Sequence, residues 1–523
     1  MTLTKVVGGV IADGTIASAD ITDSTITNAK MALSPANASN LSSGDVPLAQ
    51  LGNVPDPDFT AQKADIALLA FKTQANGNLA RYNLVDQSVD AFEDATGVDA
   101  SASTGELRNS TGKYYSGGSV VTPTVTGGTV TTVGDYTFHH FTASGNFITD
   151  TAQDMEVLLV AGGGGGGRHS GGGGGGGGLV HQTTRSISAA THAYVQGAGG
   201  PGQWSGPYPG DPGGAGSSGQ DSTFNSLTAK GGGGGGSGGV SVAGLAGGSG
   251  GGTGRTMGAG GATIQGTQPG DSGTYGFGFI GGAGAAGSGA PNYTAAGGGG
   301  AGAVGVDSSA SASGAGGAGK LLSSFTAFGV SGYFAGGGGG NSQGGGNYGA
   351  GGSGGGARGG NSTGGNDGFG RNGTANTGGG GGGSQYDGTT GANAANGGSG
   401  TLVIKRLTDI TTISNMTLVS VAVTAETAPT KADLVFTYTD GAGTAVMGTN
   451  ITAEYSADAG VTWTDFGIAA GDVQGTTGGH TIVTKNNVTL TSTSGTNMRY
   501  RIKTLVQSAS LATRIHAVSL GWS

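Results

Sequence analysis

Residues 156–184 read EVLLVAGGGGGGRHSGGGGGGGGLVHQTT: an apolar strand, two glycine runs separated by Arg168, His169 and Ser170, then a second strand. How these glycines behave decides the fold. Glycine loses more backbone freedom on ordering than any other residue, and the chain holds 122 of them, most between Ala161 and Gly400. A collagen triple helix needs glycine at every third position and abundant proline. These runs are continuous and the chain has only 12 prolines, so collagen is excluded. A flexible linker is the compositional default for glycine and serine. Against it, apolar strands clamp both ends of the region, EVLLV at 156–160 and TLVIKR at 401–406, and aromatic residues recur between them.

The third reading is a packed lattice of polyglycine II helices. Three residues then make a turn, each advancing about 3.1 Å, and every N–H and C=O points outward to a neighbour. Ordering costs about 1–2 kcal/mol per residue, while each net hydrogen bond returns about 0.5–1.5. Such a block depends on its clamping strands. The glycine runs become rods and the interruptions become turns at rod ends. Those turns carry Trp204, Tyr208, Tyr275, Phe277, Phe279, Tyr293, Tyr333, Phe334, Tyr348, Phe369 and Tyr386. Exposed aromatic rings give large rigid contact area at low entropy cost, so these are the candidate receptor-binding residues, with some of them capping the lattice instead. Phe325 and Phe328, in the apolar KLLSSFTAF, read as core.

Outward from this region, the N-terminus repeats every five residues, at Val6, Ile11, Ile16, Ile21, Ile26 and Met31. Neither a helix nor a strand has that period. A segment this short has too few turns to bury its own stripe. The reading favours a trimeric stalk or anchor over residues 1–33, with these six residues at the oligomer axis, over a lone pentapeptide-type solenoid. Residues 34–60, with four prolines, form a linker. Residues 61–116 read as a small helical segment in which Leu84, Val85, Val89 and Phe92 share one face and Asp86, Asp90, Glu93 and Asp94 lie outside it. That acidic cluster fits a solvated face better than a metal or catalytic site. Residues 117–155 are a β segment, 156–407 the glycine-rich domain, and 408–523 a C-terminal β-sandwich of jelly-roll type, with alternation in ADLVFTYTD, NITAEYSAD, MRYRIKTLV and RIHAVSLGW. The fold class is mainly β with irregular structure: a modular fibre.

A charged fraction of 10% and a net charge of −9 leave no basic footprint for nucleic acid. No apolar run approaches membrane-spanning length, and the start MTLTKVVGGVIADGT lacks the long apolar core of a secretory signal. Without cysteine there is neither a disulfide framework nor thiolate chemistry. The repeated GxGxxG matches carry no weight, because a phosphate loop needs a following lysine and helix that GGGGGGRHS lacks. His139 and His140 are adjacent and would face opposite sides of a strand. His169, His181 and His192 lack ligand spacing, and no carboxylate pair suggests glycoside hydrolysis. No catalytic, metal or cofactor site is expected. Ser456-Ala-Asp458-Ala-Gly460-Val-Thr462-Trp463 resembles the Asp box of sialidase-type propellers, a turn stabiliser rather than a catalytic element.

The succession VGDYTFHHFTASGNF, EVLLVAGGGGGG, GLVHQTTRSISAATHAYVQGAGG, DSTFNSLTAKGGGGGG and GGSGTLVIKRL resembles the glycine-rich domain of phage tail fibre and adhesin proteins. ADIALLAF, ARYNLVDQSVDAFEDATGVDAS and KYYSGG are similar to a segment upstream of such domains, and the likeness covers roughly residues 1–407. It implies a non-enzymatic virion tail fibre, assembled in the host cytoplasm as a homotrimer. Its N-terminus would join other tail or capsid proteins, and its loops or C-terminal domain would bind a host surface protein or glycan, without membrane insertion. The alternatives are a structural head fibre or decoration protein and, after it, a polysaccharide-degrading tail spike. A β-domain following the glycine block departs from the familiar adhesin arrangement and leaves open which module is distal.

Overall fold

The strand Gln153–Val160 alternates the faces it serves. Val157 and Leu159 enter one buried cluster, Leu158 and Val160 another. A strand apolar on both sides belongs at the centre of a layered stack, and the computed structural model places it there. That model describes residues 60–523 except 78–81, 85, 204–213, 240–241, 256–257, 266–275, 286–292, 344–346, 362–367, 386–393 and 492–493. The five-residue repeat with Val6, Ile11, Ile16, Ile21, Ile26 and Met31 lies outside the described residues, as do Val85, Trp204, Tyr208, Tyr275 and Tyr386.

The protein is mainly β, with one α-helix among the described residues, Thr60–Gly77. Gln153–Val160 sits in a six-stranded antiparallel sheet between Leu179–Ile187 and Thr401–Leu407. The strands that open and close the glycine region therefore pair directly, with Leu402 opposite Leu159 and Val403 opposite Leu158. One face packs on a five-stranded sheet through Phe147, Tyr194, Phe224 and Leu227. The other is covered by Leu322, Phe325 and Phe334, with Phe328 against them. Phe325 is core, as its apolar context predicts, while Phe328 is only partly buried against it.

Above this base the glycine runs form neither helix nor strand, yet their backbone bonds follow a strict order. The N–H groups of Gly162 and Gly165 donate to the oxygens of Gln220 and Ser217. Those of Gly163 and Gly166 donate to Gly398 and Ala395, and those of Gly164 and Gly167 to Gly175 and Gly172. The neighbour repeats at every third residue. The next run behaves alike: Gly171, Gly174 and Gly177 reach Ser384, Gly381 and Gly378, while Gly172, Gly175 and Gly178 reach Gly236, Gly233 and Lys230. Gly173 and Gly176 reach Ala296 and Gly299, where the partner number rises, so parallel and antiparallel neighbours coexist. These two rods thus satisfy their polar backbone on three sides. Side chains have no room here. A Cβ built on Gly174 would overlap the backbone oxygen of Gly164, and one on Gly163 that of Gly379.

The rest of the chain forms a two-sheet domain whose membership differs from the expected boundaries. Strands Lys431–Ala442, His480–Thr489 and Ala512–Trp522 share a nine-stranded sheet with Tyr82–Leu84, Gln87–Asp90, Glu106–Asn109 and Tyr114–Val121. A five-stranded sheet containing Met416–Val419, Ile451–Ser456 and Asn497–Thr504 packs on it around Phe436, Tyr455, Tyr500 and Leu520. Residues 82–121 therefore belong with the C-terminal domain rather than to a separate helical segment. Gln87–Asp90 pairs with Val518–Gly521, and that ladder replaces the predicted helix. Val89 and Phe92, expected on one helical face, enter different clusters, and Asp90 is buried rather than solvated. The true helix lays Ala67 and Phe71 on Val435, Ile482 and Ala517. No helix of the described residues is long and apolar enough to cross a membrane.

The predicted β segment is divided as well. Tyr114–Val121 belongs to the two-sheet domain, whereas Val125–Thr126, Thr129–Val133, Tyr136–Phe141 and Gly145–Thr149 join the sheets beneath the rods. Tyr114–Val121 also pairs with Ile410–Ile413, in the register Val121 to Ile410. The glycine block is thus inserted between two adjacent, mutually bonded strands.

Candidate functional site

The rods reverse at two levels. One is the sheet end, where they meet the strands. The other is the far end, beginning with the turn Arg168–Ser170, in which His169 and Ser170 take φ values of 62° and 58°. The oxygen of Ser170 accepts the Arg255 N–H at 3.1 Å, and Arg255 Nε donates to the Gly238 oxygen at 3.0 Å. The Arg255 guanidinium lies 4.6 Å from the centre of the Tyr293 ring, and the Tyr293 backbone oxygen accepts the Gln343 backbone N–H at 2.9 Å. Bridges from Ser342 to Thr294 and to Asn361, and from Ala312 to Asn347, tie further rod ends together. Arg168 is only 1% exposed. Burial first, then the Arg255 and Arg168 charges, pushes the His169 imidazole below its ordinary pKa and favours its neutral form. The far end is a cross-braced rim.

The aromatic candidates do not converge on it. Tyr293, Tyr348 and Phe369 lie at or near the far end, and Tyr348 and Phe369 are exposed. Phe277, Tyr333 and Phe334 belong to strands at the sheet end, and Phe279 follows two residues after the first of them. Phe334 is fully buried in the cluster beneath the six-stranded sheet, so it is a core residue and not a rim contact. Cations of the chain already cover several rings: Arg358 lies 4.8 Å from Tyr348 and Lys320 4.3 Å from Phe277. Such pairs hold a ring against its own protein. Among the described residues Phe369 has no covering cation and is exposed, which sets it apart at the far end.

Two features escaped sequence reading. Asn372 and Asn396 flank a small cleft beside Phe369, and nothing distinguishes them from other asparagines in low-complexity sequence. Ile264, Ile280, Val304 and Val306 are exposed on the rods. A stronger signal was available for those, since each interrupts the glycine pattern with a bulky branched apolar side chain.

The loop at 456–463 is a turn device. Ser456 Oγ donates to Asp458 Oδ1 at 2.6 Å and accepts the Gly460 N–H at 2.8 Å. Asp458 accepts the Thr462 N–H at 2.9 Å, and Trp463 Nε1 donates to the Gly460 oxygen at 2.9 Å. His139 meets the Gly127 oxygen and His140 the Thr401 hydroxyl, so the adjacent histidines serve different partners. Among the described residues no three His, Asp or Glu side chains gather as a metal site.

None of the curated proteins compared with this chain matches it. A family defined by its glycine-rich domain matches residues 141–406, half of the chain, and spans the strands, rods and turns just described. The chain belongs to the glycine-rich domain family.

Proposed function

We propose that this protein is a phage virion attachment fibre that displays a polyglycine II bundle and touches the host surface with the loops at its far end. The rotation of hydrogen-bond partners at every third residue supports the polyglycine II assignment, since three residues per turn is that conformation's period. The topology of insertion carries the functional reading. The helix that follows the N-terminal repeat and linker packs on the two-sheet domain, through Ala67 and Phe71. The glycine block leaves that same domain through the paired strands ending at Val121 and starting at Ile410. The two-sheet domain then stands between the anchor and the glycine block, and the far rim is the surface presented outward. Residues 1–33 join the chain to other virion proteins as a trimer through Val6, Ile11, Ile16, Ile21, Ile26 and Met31.

Replacing residues 122–409 by Asn-Gly tests this reading. Val121 and Ile410 are already register partners, and Asn-Gly is a favoured two-residue hairpin turn. Particles carrying the shortened fibre are expected to assemble and to lose adsorption to host cells. Normal adsorption would instead favour a structural decoration protein.

A further inference from the structure

Between rods at the far end, beside Phe369, lies a cleft of about 270 Å³. Gly202 and Gly370 line it, and neither position admits a side chain. A Cβ on Gly202 would overlap the Ala394 oxygen, and one on Gly370 the Gly382 oxygen. At these two positions the lining is therefore bare backbone held in place by the lattice, with Ala394 and Ala395 beside it. Two asparagines complete it, each fixed through its carbonyl. Asn372 Oδ1 accepts the Asn396 N–H at 2.9 Å, and Asn396 Oδ1 accepts the Gly202 N–H at 2.8 Å. Each carbonyl oxygen keeps a second lone pair, and the two side-chain amides remain as N–H donors. Phe369 adds an exposed apolar ring. Among the described residues no carboxylate, lysine or histidine lines the cleft.

A flat apolar ring beside oriented neutral donors suits a ligand with an apolar face and a hydroxylated edge. A pyranose ring has both: its axial C–H groups stack on an aromatic face, and its hydroxyl oxygens accept amide N–H groups. Small-ligand sites combine aromatic surface with a few placed polar groups in this way. The described lining carries no charged group, and that composition suits a neutral sugar.

We propose that this cleft is a saccharide subsite seating one neutral pyranose ring on Phe369, with the Asn372 and Asn396 amides donating to its hydroxyls. The proposal rests on the attachment reading above and names the ligand class of that rim. It is tested by saturation-transfer NMR on the full-length protein, with methyl α-D-glucopyranoside, methyl α-D-galactopyranoside and methyl α-D-mannopyranoside as probes. At least one probe is expected to receive saturation at its ring C–H protons. Phe369→Ala should weaken that binding about tenfold, the scale of one aromatic contact, and Phe369→Tyr should retain it. Asn396→Asp keeps the acceptor for Gly202 and removes the donors, so it should weaken binding without changing thermal unfolding. No transfer to any probe, or equal transfer to Phe369→Ala, overturns the assignment. If no probe binds while the Asn-Gly replacement still abolishes adsorption, the saccharide subsite falls and the attachment reading stands, with a protein receptor as the ligand.

Discussion

Gly174 shows what a single hydrogen decides in this molecule. Its missing Cβ leaves room for the oxygen of Gly164, and its N–H reaches Gly381 at 2.8 Å. Gly174→Ala overpacks a site that cannot relax without moving several rods, and the expected loss is about 1–3 kcal/mol, read as a lower unfolding temperature of the full chain. Gly368→Ala is the control: nothing lies within 4 Å of a Cβ there, so its effect should stay within about 0.5 kcal/mol. A second residue-scale prediction concerns His516, whose ring centre lies 4.2 Å from that of His480. Burial chiefly, then the His480 and Arg514 charges, pushes its pKa down from 6.5 to about 4. Between those values the unfolded chain binds a proton that the folded chain does not. Stability from this group is therefore full above pH 6.5, falls on acidification, and is lost by about pH 4. His516→Gln should flatten the stability profile between those limits, checked by denaturant titration at a series of pH values. Glu454 adds to the acid sensitivity further down. Burial raises its pKa, but hydrogen bonds from Arg501 and Lys503 outweigh that and hold it below the usual 4.5, so its contribution disappears as pH falls below the ordinary carboxylate range.

Among the elements, the rods and the tied loop illustrate two ways of satisfying a backbone. A rod has no internal bonds and delegates every one to its neighbours, so no rod is stable alone. The loop at 456–463 does the opposite and closes on itself. Asp458→Ala removes the acceptor for the Thr462 N–H and Oγ1 and a partner of Ser456. The expected loss is about 1–3 kcal/mol, with faster amide exchange at Thr462. Asp458→Asn keeps one acceptor and should lose less. This loop was legible because its ties are local: Ser456, Asp458, Gly460 and Trp463 lie close in sequence and need no distant partner. The helix was legible only in part. Ala64, Ala67 and Phe71 mark its buried face, but the apolar pattern continuing through Leu84, Val89 and Phe92 imitates a second helix. Pairing with Val518–Gly521, far along the chain, decides against it.

For the whole molecule, insertion is the organising fact. If Val121 and Ile410 are joined by Asn-Gly, the remaining two-sheet domain keeps its shared core, including Phe92, Tyr115, Phe436 and Tyr500. It should unfold in one cooperative transition with a β-type circular dichroism spectrum. Loss of that transition would show that the domain depends on the block it carries. The converse deletion, of residues 408–523, should leave Gln87–Asp90 and Tyr114–Val121 without their C-terminal partner strands and produce aggregation.

The sequence by itself determined the mainly β character, the clamping of the glycine region by EVLLV and TLVIKR, and the need for glycine inside it, because strand alternation and the lack of a Cβ are properties of adjacent residues. It also marked Phe325 as core. Only the tertiary structure decided which rod ends face the sheets and which face away, and hence that Phe334 is buried while Phe369 is exposed. Likewise, only the fold joined residues 82–121 to the C-terminal strands. The physical reason is common to these cases: a rod or strand looks the same in sequence whichever way it runs, and its partner is chosen by bonds to segments hundreds of residues away.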